Sequence, residues 1–397
     1  MEGRIVNDVP VALRTRISVF GRRNAGKSSL VNALANQEVS IVSDRPGTTT
    51  DPVSKTMEIL PLGPCVVTDT AGLDDTGELG AKRVESALRI LDITDIAILA
   101  VPCGRDLADD ESQVAAKCRA RGIPVVLARM KSDLSKETPG GGIPVSSVSG
   151  AGIEELRSAL GALSPDEPPN PLAHDLAGKG EIVLCVCPID AAAPKGRLIL
   201  PQQQTIRDLV EHGSCPIVAR PQEIPDVVAA VGADKIRFAV TDSQAFAEVD
   251  RLLPKEVPLT SFSILFARLK GDLAGLCAGA KALDSLRDGD TVLVAEGCTH
   301  RRQCGDIGTE KIPRWLKAYT GKDLKFVFSS GNTFPVERSG AKVVLHCGGC
   351  MLSRRAFAAR AAKSAECGIP MTNYGVAIAA MHGIVADPAT AMVVRRR

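Results

Sequence analysis

Aromatic side chains are scarce in this 397-residue chain, with Trp 1, Tyr 2 and Phe 9 making up 3%. Its cores must therefore be built from Val, Ile, Leu and Ala, which is the composition of a globular α/β protein. Neither sign of charge dominates. Lys+Arg 48 against Asp+Glu 46 leaves a net +2, too balanced for a polyanion-binding protein, so no nucleic-acid partner is expected. Arg395, Arg396 and Arg397 form the only basic run at an end and read as a solvated tail. No stretch reaches the ~18 apolar residues of a membrane helix, and the first ten residues hold no hydrophobic signal core. The expectation is a cytoplasmic protein with no membrane partner. Cysteine is plentiful at 12. In a reducing compartment that number argues for metal ligands and packing residues rather than disulfides.

The length predicts more than one core. Residues 16–163 alternate short apolar strands (R-I-S-V-F, P-C-V-V-T-D, D-I-A-I-L-A-V, I-P-V-V-L-A-R) with charged amphipathic segments, the rhythm of a parallel sheet covered on both faces. The run S-P-D-E-P-P-N-P, 164–171, breaks it as a linker. A second α/β unit follows, with strands at E-I-V-L-C-V-C, P-I-V-A-R and K-I-R-F-A-V and no catalytic motif, which suits subunit contact. His212 and Cys215 lie close together within it and read as structural. A third begins with one helix, S-F-S-I-L-F-A-R-L-K-G-D-L-A-G-L, then strands T-V-L-V-A-E, K-F-V-F-S-S and K-V-V-L-H-C. The predicted fold is α/β throughout, in three domains at 1–166, 172–258 and 259–397.

Gly21 to Ser28 spells G-R-R-N-A-G-K-S, which fits G-x-x-x-x-G-K-[ST] after a strand and before a helix. Backbone N–H groups of Asn24, Ala25, Gly26, Lys27, Ser28 and Ser29 would cradle phosphate, Lys27 would neutralise its oxygens, and Ser28 would ligate Mg²⁺. R-P-G-T-T-T-D at 45–51 offers Thr48 and Thr49, the latter a second Mg²⁺ ligand. D-T-A-G at 69–72 places Asp69 on the Mg²⁺ water shell and the Gly72 N–H toward the γ-phosphate. In V-V-L-A-R-M-K-S-D, Asp133 can accept two hydrogen bonds from guanine while the stem of Lys131 covers the ring. Ser146 and Ser147 open the loop that would meet the guanine oxygen. These elements resemble the GTPase superfamily, and most closely its potassium-stimulated branch. That resemblance implies GTP/GDP and Mg²⁺ as ligands, Asn24 as a K⁺ ligand, and Lys27, Asn24, Asp69 and Gly72 as the catalytic set. Two departures stand out. Met130 replaces the asparagine of N-K-x-D, which weakens base affinity, and Leu73 stands where Ras-like enzymes carry the water-orienting glutamine. Hydrolysis should therefore be slow and serve as a switch, read through 37–52 and 73–83.

Near the other end, Cys298-Thr299-His300 and His346-Cys347-Gly348-Gly349-Cys350 follow two strands, and in an open parallel sheet ligands sit beyond the strands' carboxyl ends. Cys298, Cys347 and Cys350 could hold three corners of a cluster. With His300 they could equally make a Cys₃His zinc site, and a redox Cys-x-x-Cys is a third reading. Cys304 is a possible outer-shell thiol. Cys65, Cys103, Cys118, Cys185, Cys187, Cys277 and Cys367 read as packing residues. C-x-H, a spacer of 301–345, H-C-x-x-C, and R-Q-C-G-D-I-G-T-E-K-I-P-R-W-L after the first of these resemble the [FeFe]-hydrogenase maturation GTPases over nearly the whole chain. The resemblance implies a [4Fe-4S] cluster on Cys298, Cys347 and Cys350, with His300 or His346 as fourth ligand. It also implies a transient diiron subcluster carrying CO and cyanide, radical SAM maturases and apo [FeFe]-hydrogenase as partners, and a homodimer through the middle domain.

Overall fold

The computed structural model describes residues 14–35, 54–74, 84, 87–163, 171–189, 198–297, 306–331, 333–350 and 352–395. They fall into two compact units, 1–167 and 168–397.

The first unit carries a six-stranded sheet in the order β2-β3-β1-β4-β5-β6. Its strands are β1 (Thr15–Phe20), β2 (Ser54–Ile59), β3 (Gly63–Asp69), β4 (Ile96–Pro102), β5 (Val125–Met130) and β6 (Ile143–Val145). All pairings are parallel except β2 with β3. The antiparallel β2 does not follow from the strand-helix rhythm, because S-K-T-M-E-I buries only alternate residues, Met57 and Ile59. Helices α1 (Lys27–Ala35), α2 (Asp109–Ala120) and α3 (Ile153–Gly161) complete the unit. One face of the sheet packs Ile17, Val19, Ile98 and Ala128 against Leu30, Leu34, Leu156 and Leu160. The other packs Phe20, Leu99 and Val101 against Val114 and Cys118. Two-sided burial is what the near-continuous apolar strand β4 requires.

The second unit holds two separate four-stranded parallel sheets. The first runs β10-β9-β7-β8 and contains β7 (Ile182–Val186), β8 (Cys215–Ala219), β9 (Ile236–Thr241) and β10 (Leu259–Ser261). Around it lie α4 (Leu200–Glu211), α5 (Ile224–Val231) and α6 (Phe246–Leu252). Next come α7 (Phe262–Lys270) and α8 (Leu273–Lys281). They replace the single helix expected here. Gly271 adopts φ +120°, and the Asp272 side chain accepts the Gly275 N–H at 2.7 Å, so the chain is capped and restarted. The second sheet runs β12-β11-β13-β14, with β11 (Thr291–Ala295), β12 (Lys325–Ser329), β13 (Ala341–His346) and β14 (Met371–Asn373). It packs with α9 (Ile312–Thr320), α10 (Arg354–Glu366) and α11 (Tyr374–Met381), and an antiparallel pair β15 (Ile384–Ala386) and β16 (Val393–Arg395) follows. Among the described residues no helix is long and apolar enough to cross a membrane.

Candidate nucleotide and metal sites

In the first unit the register Val19↔Asp69 sets the loop after β1 beside the loop after β3. The Leu73 N–H donates to Gly21 O at 3.2 Å, tying D-T-A-G to the G-R-R-N-A-G-K-S loop. A Cβ on Gly21 would lie 2.4 Å from Ala100 O, so that approach needs glycine, and one on Gly72 would lie 2.5 Å from Arg23 Cγ and push that side chain aside. Lys27 is buried, and its ammonium donates to Gly21 O (3.1 Å) and Arg22 O (2.9 Å), holding the charge across the loop. Asn24 is exposed in the left-handed region at φ +56°.

Ser28 Oγ donates to Asp69 Oδ2 at 2.5 Å, while the buried Asp69 Oδ1 has no hydrogen-bond partner. Burial lifts the Asp69 carboxyl above its ordinary value, against the Ser28 hydroxyl and the Lys27 charge, which pull it down. A hydroxyl and a partly desolvated carboxylate with an unused oxygen fit a hard divalent ion such as Mg²⁺. Thr48 and Thr49 lie outside the described residues, as do most of the expected switch segments. Asp74 does not. It accepts the Arg23 N–H at 2.6 Å, and despite its burial that bond and the Arg22 charge hold it below the usual carboxylate range.

At the end expected to meet the base, Met130 pairs with Val145, so Lys131 to Asp133 and Ser146-Ser147 leave neighbouring strands side by side. Lys131 takes φ +61°, and Asp133 is exposed beside it. Ser146 Oγ accepts the N–H groups of Val148 (3.3 Å) and Ser149 (3.2 Å), which closes the turn, and the buried Ser147 Oγ has no partner. Met130 is buried, with its methyl 3.3 Å from where a Gly26 Cβ would stand. It keeps the two loops in contact by packing where an asparagine would use a hydrogen bond. Met130→Asn should then tighten GTP binding about fivefold, the worth of one ordinary hydrogen bond. Isothermal titration checks this. Weaker binding would show that the thioether packing is what seats the loop.

Sequence reasoning missed Arg129. Fully buried, it donates to Gly141 O and Arg105 O, each at 2.8 Å, and so braces the base loop from behind.

In the second unit Ala295 pairs with His346, so the chain beyond β11 and the H-C-G-G-C turn emerge from adjacent strands. Gly297, the residue before Cys298, donates its N–H to Cys347 Sγ at 3.1 Å, and Gly349 N–H does the same at 3.4 Å. A Cβ at Gly297 would lie 2.6 Å from Leu352 Cγ, whereas one at Gly348 would meet nothing within 4 Å. Two half-buried thiols with backbone N–H groups aimed at one sulfur, beside open space, fit a thiolate-bound metal or cluster. Cys298, His300 and Cys304 lie outside the described residues.

His346 is not free to serve as ligand in this arrangement. It is fully buried, its Nδ1 lies 2.7 Å from Cys347 O and its Nε2 lies 2.8 Å from Arg360 Nη1. The guanidinium can only donate, so Nε2 accepts and Nδ1 carries the proton. Burial first, then the Arg360 charge, push its pKa down to about 3, so the ring is neutral. To ligate iron through Nε2 it would have to give up Arg360. The same guanidinium donates to Gly331 O, lies 3.4 Å from Glu296 O, and sits 5.3 Å from the Phe334 ring centroid. Arg360 thus clamps the carboxyl ends of β11, β12 and β13 together. Of the other cysteines, Cys103 and Cys367, expected to pack, are half-buried, and Cys215 is exposed. Cys65, Cys118, Cys185, Cys187 and Cys277 are buried, and burial pushes the Cys65 and Cys187 thiols up to about 12.

Family models match three parts of the chain. A 50S ribosome-binding GTPase model covers 16–131, a hydrogen maturase F dimerization domain covers 172–271, and a hydrogen maturase F tetramerization domain covers 274–389. The chain belongs to the hydrogen maturase F family. The two models specific to hydrogen maturase F meet at 271/274, where Gly271 and Asp272 divide α7 from α8. Curated relatives match the first unit. The tRNA modification GTPase MnmE of Methylorubrum populi is 37% identical over 149 residues, covering 36% of this chain and 31% of its own. GTPase Der of Kosmotoga olearia is 35% identical over 127 residues, covering 31% and 28%. The chain spans about a third of the length of the curated relatives it matches. Among solved structures, the G domain of the T. maritima FeoB iron transporter is 22% identical, with 38% of this chain on 99% of that one at a TM-score of 0.29.

Proposed function

We propose that this chain is a GTPase scaffold of [FeFe]-hydrogenase maturation. It holds a [4Fe-4S] cluster on Cys298, Cys347 and Cys350, receives a diiron precursor from radical SAM maturases and passes it to apo-hydrogenase. The observation that carries the reading is the Gly297 N–H on Cys347 Sγ, which sets the chain entering C-T-H against the H-C-G-G-C turn. With His346 held by Arg360, three thiolates and a weakly held fourth position remain, and His300 becomes the better candidate for that position. An exchangeable corner suits a carrier that must release its cargo.

GTP binds through Lys27, Ser28 and Asp69 with Mg²⁺, and its base is read by Lys131, Asp133 and the Ser146-Ser147 loop. Asn24, exposed and left-handed at the phosphate loop, offers its carboxamide oxygen to K⁺. Hydrolysis is slow for want of a glutamine at Leu73, so nucleotide state times partner binding. Self-association is supported by edge strands β8 and β12, each only partly buried and carrying Val218 and Phe328 to the surface. They fit a dimer through 172–271 and further pairing through 274–389.

GTP turnover compared in KCl and NaCl tests the Asn24 assignment. Several-fold stimulation by K⁺ is expected, abolished in Asn24→Ala. Equal rates in the two salts would remove it.

A further inference from the structure

The geometry points to a second metal site, distant in sequence from Cys347 and Cys350, made by His174, Asp208 and His212 and suited to a borderline divalent transition ion such as Zn²⁺, Co²⁺ or Fe²⁺. Asp208 and His212 stand four residues apart at the carboxyl end of α4, on one helix face. His174 opens a 3-10 turn, His174–Leu176, that packs against them. The two imidazoles stack with centroids 3.7 Å apart and planes 10° from parallel. Asp208 Oδ1 lies 2.9 Å from His174 Nδ1 and 3.8 Å from His212 Nδ1, and the three ligand atoms fall within 4.8 Å of one another.

Metal–ligand bonds of about 2.0–2.2 Å place neighbouring donors roughly 3.0–3.5 Å apart in octahedral or tetrahedral coordination. The observed separations bracket that range. The carboxylate is also aimed. Its other oxygen, Oδ2, accepts the N–H groups of Ala173 and His174, each at 2.9 Å, which turns Oδ1 toward the rings. Such outer contacts are what orient a metal-binding carboxylate.

Without metal, each ring donates from Nδ1, His174 to Asp208 Oδ1 and His212 to the Asp208 carbonyl at 2.8 Å. Binding is then an exchange in which the ion takes both Nδ1 lone pairs while each ring gives up its Nδ1 proton and takes one from solvent on Nε2, so both bind as neutral imidazoles with no net proton lost. Parallel rings aim their lone pairs side by side, so one must turn. His212 has the room, with its side chain 46% exposed. Two nitrogens and one carboxylate leave the remaining positions to water, which makes the ion exchangeable rather than structural.

Co²⁺ titrated into the full-length reduced protein gives the test, read by visible absorption and by the metal-induced rise in melting temperature. The expected result is a saturable set of weak d–d bands without sulfur-to-cobalt charge transfer, distinct from any thiolate-bound cobalt. In His212→Gln these bands and their share of the melting shift should vanish, with at least a tenfold loss of affinity. His174→Gln should do the same, so a folding defect in one variant does not decide the matter. Thiolate charge transfer alone, or identical titrations of parent and variants, would overturn the site. Neither outcome bears on the cluster at Cys347 and Cys350.

Discussion

Replacing Lys27 with Ala is expected to lower GTP turnover roughly 10²–10³-fold, the usual effect of deleting one preorganised donor to transition-state charge. In the described structure the ammonium is held at Gly21 O and Arg22 O, poised over the space a phosphate would fill. The fold should survive. Gly21 O keeps the Leu73 N–H, and α1 stays anchored by Leu30, Val31 and Leu34. Circular dichroism should therefore match the parent while single-turnover hydrolysis collapses. Turnover within tenfold of the parent would remove Lys27 from its assigned role.

Arg360→Met should be among the most damaging single changes in the second unit. Methionine keeps most of the stem volume, so the loss isolates the guanidinium. Its removal leaves His346 Nε2 and Gly331 O without their donor and deprives Glu296 O of a longer contact. Unsatisfied buried acceptors cost ~1–3 kcal/mol each, and sparing the desolvation of a buried cation returns part of that. A net destabilisation of about 2–4 kcal/mol follows. Trp315 in α9 is the only tryptophan in the chain and packs on this domain's core, so urea unfolding followed by its fluorescence reads the change. A double-mutant cycle with His346→Ala should return a coupling of about 1 kcal/mol or more. An unchanged unfolding midpoint would mean that the clamp holds nothing.

Much of the fold was legible because parallel strands buried on both faces write themselves as apolar runs, and β4, β7, β11 and most of β13 do. The phosphate loop was legible because its glycines and Lys27 answer to local geometry. What escaped were features set by distant packing. The antiparallel β2 reveals itself only by pairing with β3, and the break between α7 and α8 hangs on one glycine inside an apolar periodicity. Arg360 was hidden among several basic residues of R-R-A-F-A-A-R-A-A-K. Its signal was its position, since Ala356, Phe357, Arg360 and Ser364 share the buried face of α10. A charge on that stripe needs a buried partner, and the partner was His346. The sequence alone left His300 and His346 equal as candidate ligands, because nothing local says that one of them is already hydrogen-bonded on both ring nitrogens.

The most direct test of the account is EPR of the anaerobically reconstituted, dithionite-reduced protein, recorded beside Cys298→Ala with iron and sulfide assayed on both. The account predicts about four iron and four sulfide per parent chain and a [4Fe-4S]⁺ signal, with signal and content lost in the variant. Stoichiometric zinc without sulfide in the parent, or a cluster signal that survives Cys298→Ala unchanged, would contradict it.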